Sequence, residues 1–377
     1  MQTARENPNP FTGWMNYTPL STPDCKLYDA MREGVPIIDA AIDKIIRLVG
    51  SFAVTSSQPR YQRELNEFID NVQVGACSYG LKQFISCYLD SLLTYGNAVG
   101  EIIPSIAGDN IDALYNAKIN DIAVKRGKHP MQADICTITQ NGNAKPVAYP
   151  QLILFTPLSP PSGEIKGVSL LRSLPFVSEV LMKIFASIGT NFDRVANLRY
   201  AVTYNPGNSG VDKLHAREIA STIADQWADA MNSAKAGVIK DFVAVGDVGI
   251  KVIGADNQML DTEVPVRQML EQIVAKLGIP PFMLGLHWSS TERMSAQQAD
   301  ILTSELESYR RLLENVIKRI CNYWMLLHGY GATVGVEWDD INLQDQVEMA
   351  NARLLQAQAN RLEQEGGQEN KPETIYH

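Results

Sequence analysis

The stretch that most limits how this chain can fold runs from Val264 to Leu327. Val266, Leu270, Ile273 and Leu277 recur at helical spacing, and Pro265 suits a first helical turn. Gly278 can take the left-handed conformation that closes a helix, and Pro280-Pro281 prevents its continuation. A polar run, His287 to Gln298, follows. Then Leu302, Leu306, Tyr309, Leu313, Val316, Ile320, Tyr323 and Leu327 alternate steps of four and three, which predicts a long amphipathic helix. Helix, abrupt stop, polar loop, long helix is thus dictated locally.

A second long pattern lies upstream. Leu170, Leu174, Val177, Leu181, Ile184, Ile188, Phe192, Val195 and Leu198 step by three and four. Ser169 or Ser173 is placed to cap this helix, and Pro175 favours the later start or a kink. Over 164–199, Lys166, Arg172, Lys183, Arg194 and Arg199 outnumber Glu164, Glu179 and Asp193, so the segment is net positive in a chain of net charge −9. Between the two long patterns, residues 200–256 read as a compact unit. Tyr200 to Tyr204 is β-prone, Leu214 to Met231 carries Ile219, Ile223 and Trp227 at helical spacing, and Phe242–Val245 and Gly249–Ile253 are short strands.

The remainder reads as α+β. Residues 1–33 are rich in Pro, Asn and Thr without a sustained period, which predicts a loosely packed start with an arm over 1–25. Helices are predicted over Val35–Val49, Arg60–Val74 and Gly80–Tyr95, the last closed by Gly96-Asn97. Short β-prone runs follow at Val99–Ile103, Ile119–Lys125, Ile135–Thr139 and Gln151–Phe155, giving a mixed domain over 26–163. A strand is expected at Thr333–Trp338. The acidic tail beyond it should hold a helix over Gln344–Gln364, with disorder after Gly366-Gly367.

Composition narrows the function classes. With 45% hydrophobic and 20% charged residues, the 377-residue chain can bury one large core or a few smaller ones. Its negative charge opposes tight wrapping of nucleic acid, though not passage of DNA alongside it. The five cysteines lack CxxC spacing and read as idle thiols in a reducing compartment. No run approaches the ~20 apolar residues of a membrane span, and MQTARENPNPFTGW lacks the order of a signal peptide, so a cytoplasmically made protein with no membrane partner is expected.

Catalytic patterns are scarce. There is no GxxxxGK[ST], GxGxxG or HExxH. Gly167-Val-Ser-Leu-Leu171 begins like a nucleophile elbow but lacks the second glycine, so Ser169 reads as a helix cap. His129, His215, His287, His328 and His377 have no carboxylate or cysteine at ligand spacing, and Asp339-Asp340 reads as solvated or capping; no metal or cofactor is expected. Trp227, Trp288 and Trp324 are not interleaved with basic residues, which argues against base stacking. An assembly role is favoured. The alternative is a soluble α+β enzyme with an unrecognised site under a lid at 280–298.

Four passages in order carry a family resemblance. Leu92-Leu-Thr-Tyr-Gly-Asn-Ala-Val-Gly-Glu-Ile-Ile103 resembles the GNA helix-to-strand passage of portal proteins of tailed bacteriophages. Gly167-Val-Ser-Leu-Leu171 resembles that family's G-x-S-x-L signature, and Leu277-Gly-Ile-Pro-Pro-Phe-Met-Leu-Gly285 its G-[VI]-P-P-x-x-[LI]-G passage. Val336-Glu-Trp338 and the amphipathic tail fit the family's ending. The match covers about 35 to 360.

The resemblance implies a head-tail connector without catalytic activity: a ring, usually of twelve subunits, at one capsid vertex, through which double-stranded DNA is packaged and ejected. It implies a portal-type α+β subunit with an arm at 1–25, a wing at 26–163, stem helices at 164–199 and 257–278, and a clip at 200–256. A tunnel loop at 279–300, a long wing helix at 301–330 and a crown with acidic tail at 331–377 complete it. Lys183, Arg194, His287, Trp288, Glu292 and Arg293 would then face a DNA channel. Asn205, Asn208, Asp212, Lys235 and Lys240 would dock the terminase and later a head-completion or adaptor protein. The major capsid or scaffold protein would be a further partner. Ring symmetry would turn a single Lys183 or Arg194 into a girdle of charge, while weak interactions elsewhere let DNA slide.

Overall fold

The computed structural model describes residues 18–127, 133–138, 144–196, 199–205, 213–235, 247–253, 262–286, 292–339 and 341. In chain order the elements are β1 (Thr18–Pro19), α1 (Pro23–Gly34), α2 (Pro36–Val49), β2 (Phe52–Ser56), α3 (Gln62–Asn71), α4 (Leu81–Tyr95), β3 (Asn97–Pro104) and β4 (Ile111–Asn116). Next come β5 (Ile122–Arg126), β6 (Ala133–Ile138), β7 (Ala144–Pro146), β8 (Ile153–Pro157), α5 (Pro175–Ala196), β9 (Arg199–Asn205) and α6 (Lys213–Lys235). The chain closes with β10 (Asp247–Ile253), α7 (Glu263–Leu277), α8 (Glu292–Leu327) and β11 (Val334–Trp338). The α+β class read from the sequence holds.

Two compact units divide the chain: one joins residues 1–180 to 267–377, and the other spans 181–266. The boundaries fall inside α5 and α7.

In the larger unit, α2 buries Ile38, Ala41, Ile42, Ile45 and Val49, the face its periodicity predicts. It packs on α1, α4 and α8. The three-stranded sheet β4-β3-β8 lies against α4, and the approach is close: a Cβ at Gly100 would sit 2.6 Å from the Phe84 ring. A second sheet, β1-β5-β6-β7, contributes Ile122, Val124 and Ile135, with Leu20 just after β1, to a cluster shared with Val99 and Ile153. β11 pairs antiparallel with β2, Trp338 opposite Phe52 and Val334 opposite Ser56, which joins two segments far apart in sequence. Arg310, nearly buried on α8, donates from Nε to the Val49 carbonyl at 2.9 Å and so caps α2 from a distant helix.

In the smaller unit, β9 and β10 form an antiparallel pair from Arg199↔Ile253 to Asn205↔Asp247. α6 buries Ile223 and Ala230.

Several sequence expectations need correction. The loosely packed start is a helix from Pro23, with Pro at its first turn and Cys25, Tyr28 and Met31 buried at three-residue spacing. Its polar surroundings hid that stripe. Of the two starts read for the upstream long helix the later one holds: it begins at Pro175, after a turn over 170–173. α8 begins at Glu292, not Leu302: residues 292–301 lack Gly and Pro and are mostly good helix formers, so their polarity does not mark a loop. The strands β2, β4 and β7 were not foreseen. The expected strand Phe242–Val245 and helix Gln344–Gln364 lie outside the described residues.

Candidate functional site

Two of the four passages interlock. α4 ends at Gly96, whose φ of 76° is left-handed and whose N–H donates to the Leu92 carbonyl at 2.9 Å. Its preceding carbonyls would be orphaned at a buried helix end. The Gly167–Leu171 turn satisfies them: the Ser169 hydroxyl donates to Thr94 O at 2.6 Å, and the Leu170 N–H to Leu93 O at 3.1 Å. Asn97, fully buried, accepts from the Gly167 N–H at 2.9 Å through Oδ1 and donates to Tyr95 O at 3.3 Å. Leu158 completes the junction, donating to Gly96 O and accepting from Val168 N–H, both at 2.8 Å.

No side chain fits at either glycine. A Cβ at Gly96 would overlap the backbone of Val168 and Ser169, and one at Gly167 would overlap Gly96 O and the backbone of Leu158. Ser169 therefore caps α4, not α5 as expected. Its hydroxyl also accepts from the Leu171 N–H at 2.9 Å and its side-chain partner is the Tyr28 phenol, whose pKa is raised by burial, so it is not set up as a nucleophile.

The third passage turns the chain sharply. Gly278 has a φ of 70°, and its N–H closes α7 on Val274 O at 3.0 Å. Ile279 and Pro280 are buried, Pro281–Leu284 make one 3-10 turn, and Gly285 at φ 76° reverses the path. The Glu305 carboxylate from α8 lies over Gly278, 2.6 Å from where a Cβ would be. Desolvation holds that carboxyl above the usual glutamate range, and the Lys276 cation partly offsets this.

A cleft of about 670 Å³ opens between these passages within the larger unit. Leu158, Val168, Lys276, Glu305, Tyr309 and Arg311 are among its lining residues. Burial pushes the Tyr309 phenol up to about 12. The cleft has no histidine or cysteine, and no group of metal-ligating side chains occurs among the described residues. It offers charge and shape without a nucleophile-base pair.

The residues expected to face a channel are scattered. Lys183 is exposed on α5, and Arg194 lies on the same helix. Glu292 and Arg293 are the first two residues of α8, while His287 and Trp288 lie outside the described residues. Among the expected docking residues, Asn205 ends β9 and Lys235 ends α6; Asn208, Asp212 and Lys240 lie outside the described residues. The structure brings none of these together in a described contact.

α5 has a second feature that the sequence reading passed over. Met182, Phe185 and Phe192 are 46%, 47% and 56% exposed. At about 100° per residue they share, with Gly189, an edge about 80° wide, and positions 183 and 194 fall about 150° round from it. The helical stripe counted Phe192 as core; its exposure shows that the inward edge is Val177 and Leu181.

No protein-family model and no curated protein sequence matches the chain. Solved structures do. A chain from the neck of an empty gene transfer agent (GTA) particle, computed with C6 symmetry, aligns over 97% of this chain and 94% of its own, at 15% identity and a TM-score of 0.61. A chain from the virion of the native GTA particle aligns over 90% of both, at 14% identity and a TM-score of 0.59. One from the native neck, computed with C12 symmetry, aligns over 85% of this chain and 84% of its own, at 15% identity and a TM-score of 0.56. These likenesses establish a shared fold over nearly the whole length.

Proposed function

We propose that this chain is the subunit of a portal ring, a conduit for double-stranded DNA at one vertex of a phage head or of a related gene-transfer particle. Two things support the reading: the order of the four passages and the whole-length fold shared with particle and neck chains. Fold likeness alone does not fix function. The observation that carries the reading is α5, a helix with an exposed apolar edge and basic positions on the far side.

Such a helix suits a ring. The Met182-Phe185-Phe192 edge packs on the neighbouring subunit, removing from water the apolar area it exposes in the single chain. Lys183 and Arg194 then face the axis with Arg293, repeated around twelve subunits as a girdle that centres DNA without gripping it. The smaller unit, with Asn205 and Lys235 at its element ends, offers the surface for the terminase and then for a head-completion protein. The larger unit contacts the capsid or scaffold. No chemistry is required of the chain.

Negative-stain microscopy and native mass measurement of the purified protein test this. Closed rings of about twelve chains are expected; a persistent monomer across a range of salt would overturn the reading.

A further inference from the structure

The hairpin of β3 and β4 ends in a tip built to hold its shape. The Ser105 N–H donates to the Asn110 carbonyl at 2.9 Å, and the Gly108 N–H to the Ser105 carbonyl at 3.0 Å. The Ser105 hydroxyl donates to the Asp109 carboxylate at 2.7 Å and accepts from the Asp109 and Asn110 N–H groups at 3.2 and 3.3 Å. Trp324 on α8 donates from Nε1 to Asn110 Oδ1 at 3.1 Å and ties the tip to the helix. This pinned turn nevertheless carries Ile106 fully exposed. An apolar side chain held out on a pre-ordered turn needs little further ordering to bind.

Ile103 and Tyr115, also exposed, share one face of the pair, since Ile103 lies opposite Ala113 and Tyr115 opposite Glu101. Carboxylates flank this apolar line. Glu101, Asp109 and Asp112 are on the hairpin, and Glu64 and Glu67 stand across a groove of about 410 Å³ at its base. An apolar tip ringed by carboxylates fits an apolar hole rimmed by cations.

The same chain carries that complement. A cavity of about 200 Å³ where α2 ends and α4 begins has an apolar floor of Ile46, Phe52, Ile85 and Leu89, with the exposed Arg47 and Lys82 at its rim. Neither cation makes an ion pair among the described residues. The 670 Å³ cleft is wider and has Glu305 in its lining, which would repel the tip. Tip and cavity lie on opposite sides of α4. Phe84 meets the sheet at Gly100, whereas Lys82, Ser86 and Leu89 of the cavity stand about 140–160° round the helix from Phe84. Ile103 alternates with Gly100 and so faces away from α4. Two different surfaces facing opposite ways make a head-to-tail contact, the kind that closes rings.

We propose that the hairpin tip of one copy enters this cavity of the next, with Ile106 on the apolar floor and Asp109 or Asp112 against Lys82 and Arg47. The inference rests on the ring reading and adds to it a contact separate from the α5 edge.

Zero-length carbodiimide coupling tests it, on rings assembled from premixed heavy- and light-isotope chains and read by mass spectrometry. Lys82 should couple to Asp109 or Asp112 in pairs that include both isotopes. Pairs of one isotope only, or rings without this coupling, would overturn the contact and leave the ring reading standing. A chain that forms no ring would overturn both. As a second readout, Ile106→Lys places a third cation at the rim while changing a fully exposed position. It should weaken assembly by about tenfold or more, with the single chain's unfolding midpoint unchanged. Unchanged assembly would overturn the proposal.

Discussion

The junction of Gly96 and Gly167 and the outer half of α5 use glycine and apolar residues to opposite ends. At the junction the carbonyls of Leu93, Thr94, Tyr95 and Gly96 and the Gly167 N–H are answered within the chain, and the two glycines exist because backbone approaches backbone. On α5, Gly189 has nothing within 4 Å of its missing side chain, and three large apolar residues stand open beside it. The first region is complete within the chain. The second is open in the single chain, and on the proposed reading a neighbouring copy covers it. A motif's place in a sequence does not say which of these it serves; the number of unanswered groups around it does.

The contrast can be broken most severely at the open edge. Phe185→Glu/Phe192→Glu should abolish rings in native mass measurement, because two carboxylates would be desolvated at every contact. The single chain's denaturant midpoint should shift by no more than about 0.5 kcal/mol equivalent. A large loss of chain stability would show that these residues belong to a core.

At the closed junction, Gly167→Ala should cost about 3 kcal/mol or more in urea unfolding, since the new methyl meets only backbone. Gly189→Ala, inside a helix and unobstructed, should instead stabilise the single chain by about 0.5–1 kcal/mol. Equal effects at the two glycines would remove the distinction. Asn97→Ala should cost about 1–3 kcal/mol, because the Gly167 N–H would be left unanswered in a buried place.

The smallest effect expected is a pH slope. Because Glu305 has its pKa raised in the fold, the folded state holds the proton more tightly than the unfolded chain. Stability should therefore fall as pH rises from the ordinary glutamate range through the raised value, and the penalty remains above it. Glu305→Gln should flatten that slope and raise the unfolding midpoint at neutral pH relative to the parent. An unchanged slope would assign the titration elsewhere.

Much of the secondary structure was legible because it is local. α2, α4, α6 and α7 lie within a few residues of their apolar periodicity, since burial on one face imposes the helical period. What failed did so for stated reasons. α1 carries its stripe among polar residues, β2 is a strand only because β11 returns to it, and the first turns of α8 are polar in sequence. Ser169 shows the limit most clearly. Its position before a helical pattern suggests a cap for that helix, yet its hydroxyl closes the end of a helix 75 residues earlier.

By itself the sequence determined the succession of elements, the sharp stop at Gly278-Ile279-Pro280-Pro281 and the near absence of catalytic patterns, because propensity, proline geometry and residue chemistry act over a few neighbours. Only the tertiary structure decided that Gly96 and Gly167 are one device, that Glu305 covers Gly278, and that the stripe on α5 divides into a buried edge and an open one. Those are contacts between residues far apart in the chain, and short-range periodicity carries no information about which distant backbone will come to rest against a glycine.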